Sequence, residues 1–341
     1  DTMLWNMGGE KYYGWPQWNG DQEALLRGDL AALSALSPHE ARKRVAELEK
    51  RHHERRFLVW AEMGEAPLAQ ALKHLAVLAE ATASSLAVGS PVEMAAAYSS
   101  SGWRADDAMV RALACVGKNE DVDVVTSAIR SIYTVWAEEA ALYLQKAVEK
   151  DGYPGGSIST KETKNYSDRE CVLFVDGLRF DAARRLQHLL LAEGCRVEEQ
   201  IYWAPLPTLT ATGKPFVAPV KDQLSGQDAS ADFEPCVLET GKSLAGGYYL
   251  KKLLTESGWQ MLQGMANGED NGNAWCECAN IDHEGHDRGW KLARHMEAML
   301  REIRDRVTGL LSAGWKTVRI VTDHGWLLLP GGLPKVELLG A

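Results

Sequence analysis

Carboxylates, imidazoles and a hydroxyl recur in four short motifs of the second half of the chain, and each motif follows an apolar run. The motifs and their polar residues are Val-Asp-Gly with Asp176, Pro-Thr-Leu-Thr with Thr210, Ile-Asp-His-Glu-Gly-His with Asp282 and His286, and Thr-Asp-His-Gly with Asp323 and His324. Carboxylate and imidazole groups bind divalent cations, and a hydroxyl bound to such a cation loses its proton more readily. The pattern therefore predicts metal-dependent phosphoryl or sulfuryl transfer.

Each motif alone also has a structural explanation. An Asp-Gly pair after a strand is common in turns, and a Thr-rich loop before a helix is usually a helix cap. Asp282 and His286 are four residues apart, so one helical turn or a tight loop brings them to a common point. Five carboxylate and imidazole groups at strand ends are hard to explain as independent turns, and we favour a shared metal site.

Thr210 is the candidate nucleophile, because metal binding would activate its hydroxyl and the following helix N-terminus would hold phosphate oxygens. Lys214 follows within Thr-Gly-Lys, where the GxxxxGK[ST] frame of a phosphate-binding loop is absent. Lys214 is nevertheless a candidate contact for a phosphate or a leaving group.

Neighbouring residues admit two interpretations each. His283 and Glu284 either face solvent, which we favour, or orient metal ligands. Cys276 and Cys278 have the wrong spacing for a zinc knuckle and no second pair, so buried strand thiols are favoured over a metal site.

The first half of the chain has helical spacing after an irregular lead-in over residues 1–20. Ser37-Pro38-His39-Glu40 and Ser90-Pro91-Val92-Glu93 are capping boxes with Pro at the first helical position. The periodicity predicts helices from Ser37 to about Glu62 and over 66–84, 105–116 and 119–150. We therefore predict a helical N-terminal region over 1–150, followed by a linker over 151–168.

Strands alternate with helices in the remainder, residues 169–341. Apolar runs predict strands at 171–175, 197–203, 274–281 and 317–322, and amphipathic spacing predicts helices at 179–192, 244–256 and 290–311. This alternation indicates an α/β fold with a largely parallel sheet. Ligands of such sheets bind at the carboxyl ends of the strands, where all four motifs are expected to lie.

Composition narrows the class of protein. The 341 residues include 45% hydrophobic and 25% charged residues, which is ordinary for a globular chain. No run reaches the roughly 18 apolar residues of a membrane helix, no signal-like segment opens the chain, and six scattered cysteines suit a reducing compartment. These features predict a cytoplasmic protein without a membrane partner. The net charge of −10 argues against broad non-specific nucleic-acid binding.

The four motifs, in this order, resemble the alkaline phosphatase superfamily, in particular its phosphodiesterase branch. Their longer contexts Phe-Val-Asp-Gly-Leu-Arg-Phe-Asp, Leu-Pro-Thr-Leu-Thr-Ala-Thr-Gly-Lys-Pro and Val-Thr-Asp-His-Gly-Trp resemble the PglZ family, the phosphatase-like component of BREX phage-defence systems. The resemblance covers about residues 168–341. It implies an alkaline-phosphatase-like sheet flanked by helices, other BREX proteins as partners, and a nucleotide or nucleic acid as substrate.

The resemblance also implies two metals, usually Zn²⁺, with Mn²⁺ or Mg²⁺ as alternatives. One metal would bind Asp176, Thr210, Asp323 and His324, and the other would bind Asp282, His286 and a further His. That His normally follows the Asp-His-Gly motif in a His-Gly-Gly context, which this sequence lacks before Ala341. We therefore expect a C-terminally truncated domain with one incomplete metal site.

Three functions remain open at this point. A metal-dependent phosphodiesterase is favoured over an assembly scaffold of the defence complex, in which metals only hold structure. A phosphomonoesterase or a sulfatase ranks last, because the Cys/Ser-x-Pro-x-Arg motif of sulfatases does not accompany Thr210.

Overall fold

The computed structural model describes residues 15–155, 165–226 and 235–332 and divides the chain into two compact units. Within the described ranges, the first unit comprises residues 15–152, 289–295 and 328–332, and the second comprises 153–155, 165–226, 235–288 and 296–327. The division near residue 152 falls beside the Gly-rich segment that follows the last N-terminal helix.

The first unit is built from helices. Their bounds are α1 Pro16–Ala31, α2 Pro38–His52, α3 Val59–Glu62, α4 Pro67–Ala81, α5 Pro91–Ala97, α6 Trp103–Ala114, α7 Asn119–Ile129 and α8 Val135–Asp151. Both predicted capping boxes are confirmed, since the hydroxyls of Ser37 and Ser90 accept hydrogen bonds from the amides three residues later. The prediction of an irregular lead-in over residues 1–20 is wrong from residue 16 onward, because α1 begins at Pro16. Residues 1–14 lie outside the described part of the chain.

Helix α4 is the centre of the first unit. Leu68, Leu72, Leu75 and Leu78 are fully buried along it, and the helix packs against α6 and α2. Each buried leucine contributes about 2 kcal/mol relative to exposure. The buried carboxylate of Glu23 accepts hydrogen bonds from the amide at Leu68 (2.9 Å) and from Arg55, so its charge is paired.

The second unit contains a four-stranded parallel sheet, which confirms the predicted α/β class. The strands are β1 Glu170–Asp176, β4 Trp259–Leu262, β5 Asn273–Asn280 and β6 Thr317–Val321, in the order β4-β5-β1-β6. A short antiparallel pair joins β2 Leu224–Ser225 and β3 Cys236–Val237. The helices of this half of the chain are α9 Phe180–Ala192, α10 Thr210–Val217, α11 Tyr248–Glu256, α12 Ile281–Arg288 and α13 Leu292–Ser312.

Around the four-stranded sheet, two strand assignments differ from the structure. The predicted strand at 197–203 is wrong, since that segment is irregular, and the strand β4 was not predicted. Val197–Trp203 has β-branched and aromatic residues, but strand formation depends on a partner strand that local sequence does not supply.

Strand β1 is buried on both faces, with every residue from Glu170 to Val175 inaccessible to solvent. On one face, Phe174 stacks on Trp275 of β5 at a centroid distance of 5.7 Å. Helices α10 and α11 cover this face through residues such as Phe216 and Leu254. The core thus fixes α10 against the central strand. Among the described residues, no helix is both long enough and apolar enough to span a bilayer.

The cysteines of β5 are free thiols. Cys276 is fully buried and accepts a hydrogen bond from the guanidinium of Arg306 at 3.5 Å, and Cys278 is half-buried. Burial raises the pKa of Cys278 to about 11, with a further contribution from Cys276. This environment favours neutral thiols over metal-binding thiolates.

Candidate metal centre at the carboxyl edge of the sheet

Three of the four motifs meet at one edge of the sheet. Asp176 is the last residue of β1, Asp323 and His324 follow β6 after one intervening residue, and Asp282 is the second residue of the helix that follows β5. Strands β5, β1 and β6 are adjacent and parallel, so their carboxyl ends lie side by side. The sheet topology therefore brings together residues that are far apart in sequence.

Thr210 reaches this edge by a different route from the one expected. No strand precedes it, and it is instead the first residue of α10 after an irregular segment. Its hydroxyl does not cap the helix. The Thr212 hydroxyl lies instead against the preceding segment, within hydrogen-bonding distance of the carbonyl oxygens of Pro207 and Leu209. The Thr210 side chain is left to face the cluster.

A close contact sets the position of α10. A β-carbon added at Gly213 would lie 2.7 Å from both the Cβ and the carbonyl oxygen of Asp323. Only glycine allows the helix to approach the β6 loop this closely, because any side chain would collide with backbone. The helix N-terminus is thereby held beside Asp323.

The four residues Asp176, Thr210, Asp323 and His324 form one cluster. Thr210 Oγ1 lies 3.0 Å from His324 Nε2 and 3.4 Å from Asp176 Oδ1. His324 Nε2 is 3.6 Å from an oxygen of each carboxylate. One ligand atom from each of Asp176, Asp323 and His324 lies within 4.8 Å of the others, a spacing that can hold a single cation.

The imidazole of His324 is oriented for ligation. Its Nδ1 lies 3.0 Å from the carbonyl oxygen of Gly325, which can only accept a hydrogen bond. Nδ1 therefore carries the proton of this hydrogen bond, and Nε2 is the ring atom presented to the carboxylates and to Thr210. A backbone carbonyl that fixes the ring in this way is typical of metal-binding histidines.

Asp323 holds a buried oxygen without a partner. Its Oδ1 accepts hydrogen bonds from the amides of Gly177 (3.1 Å) and His324 (3.0 Å). Its Oδ2 is buried and has no hydrogen-bond partner among the described residues. A buried anionic oxygen without compensation is costly. A cation at the cluster would compensate it.

The electrostatics of Asp176 agree with this interpretation. Burial and the nearby carboxylate of Asp323 raise the pKa of Asp176 to about 6, against an opposing effect of His324. Like charges this close disfavour simultaneous ionisation. A bound divalent cation would offset the repulsion between the two carboxylates and favour their ionised forms.

The predicted second site is only partly assembled. Asp282 Oδ2 is 3.4 Å from His286 Nε2, but the His286 side chain is 79% exposed and lies outside the three-residue cluster. Asp282 itself is close to the cluster, since a β-carbon on Gly177 (φ +67°) would lie 3.0 Å from Asp282 Cβ. His283 pairs with Asp287 in an exposed i, i+4 pair, which agrees with the solvent-facing interpretation.

Lys214 is engaged with another protein group. Its ammonium lies 2.9 Å from Glu277 Oε2 and 4.8 Å from the centre of the Phe174 ring. Burial raises the pKa of Glu277, and the hydrogen bond and charge of Lys214 outweigh this, so the net pKa lies below its usual value. The structure thus places Lys214 in an ion pair one helical turn from Thr210.

The sequence interpretation overlooked a buried clamp beside the site. Arg179 donates to both oxygens of Asp181 (2.5 and 2.7 Å) and lies 4.4 Å from the ring centre of Trp326. Trp326 in turn donates to the carbonyl oxygen of Gly177 at 2.7 Å. The clamp ties the loop after β1 to the loop after β6. The Arg-Phe-Asp triplet after Val-Asp-Gly and the Trp after Asp-His-Gly were its only sequence signals.

The arrangement presents two carboxylates, one imidazole nitrogen and one hydroxyl toward a common point. This donor set suits Zn²⁺ and also harder cations such as Mn²⁺ and Mg²⁺. Comparison with protein-family models, with curated proteins and with solved structures finds no match to this chain. The functional conclusion therefore depends on the site itself.

Proposed function

We propose that this protein is a metal-dependent phosphoric ester hydrolase, with a phosphodiester as the favoured substrate and Thr210 as the nucleophile. One observation carries the proposal: the Thr210 hydroxyl lies against a cluster of Asp176, Asp323 and His324, and Asp323 Oδ2 is buried there with no hydrogen-bond partner in the described part of the chain. A hydroxyl, an oriented imidazole and two partly uncompensated carboxylates are poorly explained as a packing arrangement. They are the groups that a cation-assisted ester hydrolysis requires.

A cation fits the residues present. Asp176, Asp323 and His324 would hold it, with Thr210 at its side, and Zn²⁺, Mn²⁺ or Mg²⁺ are candidates. When bound, such a cation withdraws charge from phosphoryl oxygens and lowers the pKa of a coordinated hydroxyl. Asp282 and His286 are proposed to contribute to a second site, as the family resemblance implies.

The protein groups account for the proposed reaction as follows. Thr210 Oγ1 loses its proton to the carboxylate of Asp176, whose Oδ1 lies 3.4 Å away and which keeps lone pairs beyond the one that would hold the cation, whereas the only free lone pair of His324, on Nε2, would be used by the cation. Oγ1 then attacks phosphorus, forming a threonine–phosphorus ester bond as the bond to the leaving alcohol oxygen breaks. Water cleaves the phospho-threonine bond and regenerates the hydroxyl.

The broader assignment rests on the order of the four motifs. We propose an alkaline-phosphatase-like fold and membership of the PglZ family, with other BREX defence proteins as partners and a nucleotide or nucleic acid as substrate. The parallel sheet with its polar carboxyl edge supports this fold, and the net charge of −10 favours small esters over long polyanions.

An assembly scaffold is the second candidate. The exposed position of His286 favours it, because one half of the expected two-metal site is not gathered around Thr210. In a scaffold, the metal cluster would only stabilise the loops, and partner binding would survive loss of the Thr210 hydroxyl.

The test is hydrolysis of bis-p-nitrophenyl phosphate and p-nitrophenyl phosphate by the full chain with Zn²⁺ or Mn²⁺. Thr210→Ala should reduce diester turnover by at least about 1,000-fold, as expected for loss of a nucleophile. Thr208→Ala is the matched control, since Thr208 is exposed in the same loop and should retain full turnover. Stoichiometric metal binding without turnover of either ester would favour the scaffold instead.

A further inference from the structure

A pocket of about 210 Å³ opens on the face of the sheet that α10 and α11 cover. Met261 and Leu262 of β4 and Trp275 of β5 supply its apolar lining, and Lys251 of α11 and Glu277 of β5 supply its charges. An engineered apolar cavity of roughly 150 Å³ accommodates benzene. The pocket is therefore large enough for one substituted ring and too small for a complete nucleotide.

Glu277 connects this pocket to the proposed nucleophile. It lines the pocket and forms the 2.9 Å ion pair with Lys214, which is one helical turn after Thr210. Glu277 is also the register partner of Phe174, two residues before Asp176 on the adjacent strand. Two residues span roughly 7 Å along a strand, so the Glu277 end of the pocket lies within the reach of a substituent on a phosphorus at Thr210.

We propose that this pocket binds the second, non-reacting ester group of the substrate, and that the group carries a planar ring of pyrimidine size. The inference deepens the proposed function and rests on it, since it names the part of the substrate that a monoester lacks. The chemistry of the lining identifies the ring. Met261 offers apolar contacts to its face, and the two charged groups offer one acceptor and one donor to its edge.

Glu277 retains acceptor capacity for such a ring. One of its oxygens accepts from Lys214 and the other from the indole of Trp275 at 3.3 Å, whereas a carboxylate offers about four lone-pair sites. A ring N–H can therefore donate to Glu277 while a ring carbonyl accepts from Lys251. The pyrimidine base thymine has both groups on one edge, which makes thymidine esters suitable probes.

The test compares two diesters with the same leaving group, thymidine 5′-(p-nitrophenyl phosphate) and methyl p-nitrophenyl phosphate, in the full chain with its metal. The wild type should favour the thymidine ester in kcat/KM by about tenfold, the discrimination that one small pocket typically supplies. Met261→Trp, which fills the pocket, should remove the preference for the thymidine ester. Lys251→Ala, at an exposed position, should reduce the preference without risk to folding.

Glu256→Gln is the matched control, since Glu256 is exposed on α11 outside the pocket lining and should leave the preference intact. An equal preference in the wild type and in both pocket variants, with turnover still dependent on Thr210, would overturn the subsite and leave the proposed function standing. If neither diester is hydrolysed, the proposed function fails, but the pocket can still be tested by measuring the binding of thymidine alone with saturation-transfer NMR. The wild type should give saturation-transfer signals of thymidine, and Met261→Trp should give none. Signals that persist in Met261→Trp would overturn the subsite.

Discussion

Asp323 has the most demanding environment of any residue in the cluster. Its side chain is fully buried, Oδ2 has no hydrogen-bond partner among the described residues, and the neighbouring Asp176 carries a raised pKa. A site that holds two carboxylates together without a cation sacrifices stability for function. The metal-free protein should therefore become more stable when one of these charges is removed.

Asp323→Asn should raise the unfolding free energy of the EDTA-treated protein by about 1 kcal/mol, because the amide keeps the acceptor Oδ1 and removes the repulsion with Asp176. Thermal unfolding monitored by circular dichroism measures this change. Asp222→Asn, at an exposed position, is the control and should leave the midpoint unchanged. A midpoint lowered by Asp323→Asn would mean that the carboxylate is already compensated within the protein.

The raised pKa of Asp176 predicts how metal binding depends on pH. Burial and Asp323 raise this pKa to about 6, so a proton must leave Asp176 when a cation binds below that pH. The apparent affinity for Zn²⁺ should rise as pH increases through 6 and change less above 7. Calorimetric titrations between pH 5 and 8 measure this dependence, and an affinity that is flat between pH 5 and 6.5 would contradict it.

At the scale of elements, the site depends on how closely α10 approaches the loop after β6. Gly213→Ala would place a methyl group 2.7 Å from the carbonyl oxygen of Asp323. Overpacking of this kind lowers the unfolding free energy by about 1–3 kcal/mol. Turnover should fall as well, because Thr210 moves with its helix. Urea unfolding and diester hydrolysis provide the two measurements.

Gly309→Ala is the matched control for that substitution. Gly309 lies within α13 with no atom within 4 Å of an added β-carbon, so alanine should stabilise the helix by about 0.5–1 kcal/mol and leave turnover unchanged. If Gly213→Ala behaved like Gly309→Ala, the close approach of α10 would not be required.

The elements also show which features sequence reasoning can reach. The capping boxes at Ser37 and Ser90 and the apolar run of β1 depend on neighbours in sequence, and the structure confirms these assignments. Pairing across the sheet decides that β4 is a strand and that residues 197–203, which have no partner strand in the sheet, are irregular. Local propensity does not encode this pairing. The assignment of 197–203 therefore failed although its residues suit a strand.

The candidate site follows the same division. Asp176, Asp323 and His324 were predictable because the carboxyl ends of parallel strands converge. The Lys214–Glu277 ion pair and the Arg179–Asp181–Trp326 clamp join distant segments through side-chain geometry, so the motifs alone did not reveal them.

At the scale of the whole molecule, metal should stabilise one compact unit selectively. The cluster lies entirely within the second unit, and a ligand that binds only the folded state stabilises the element that holds it. Hydrogen exchange followed by mass spectrometry should therefore slow in β1 and β6 when Zn²⁺ is added to the EDTA-treated chain. Exchange in α4 and α6 of the first unit should not change, and equal slowing in both units would contradict a metal centre confined to the second.

The most direct test of the account is calorimetric titration of Zn²⁺ into the EDTA-treated full chain at pH 7.5, for the wild type and for Asp323→Asn. We predict at least one saturable site in the wild type and an affinity at least about 100-fold weaker in Asp323→Asn, since a ligand is lost from the buried cluster. Asp222→Asn should titrate like the wild type. Equal stoichiometry and affinity in the wild type and in Asp323→Asn would contradict a metal centre at Asp176, Asp323 and His324.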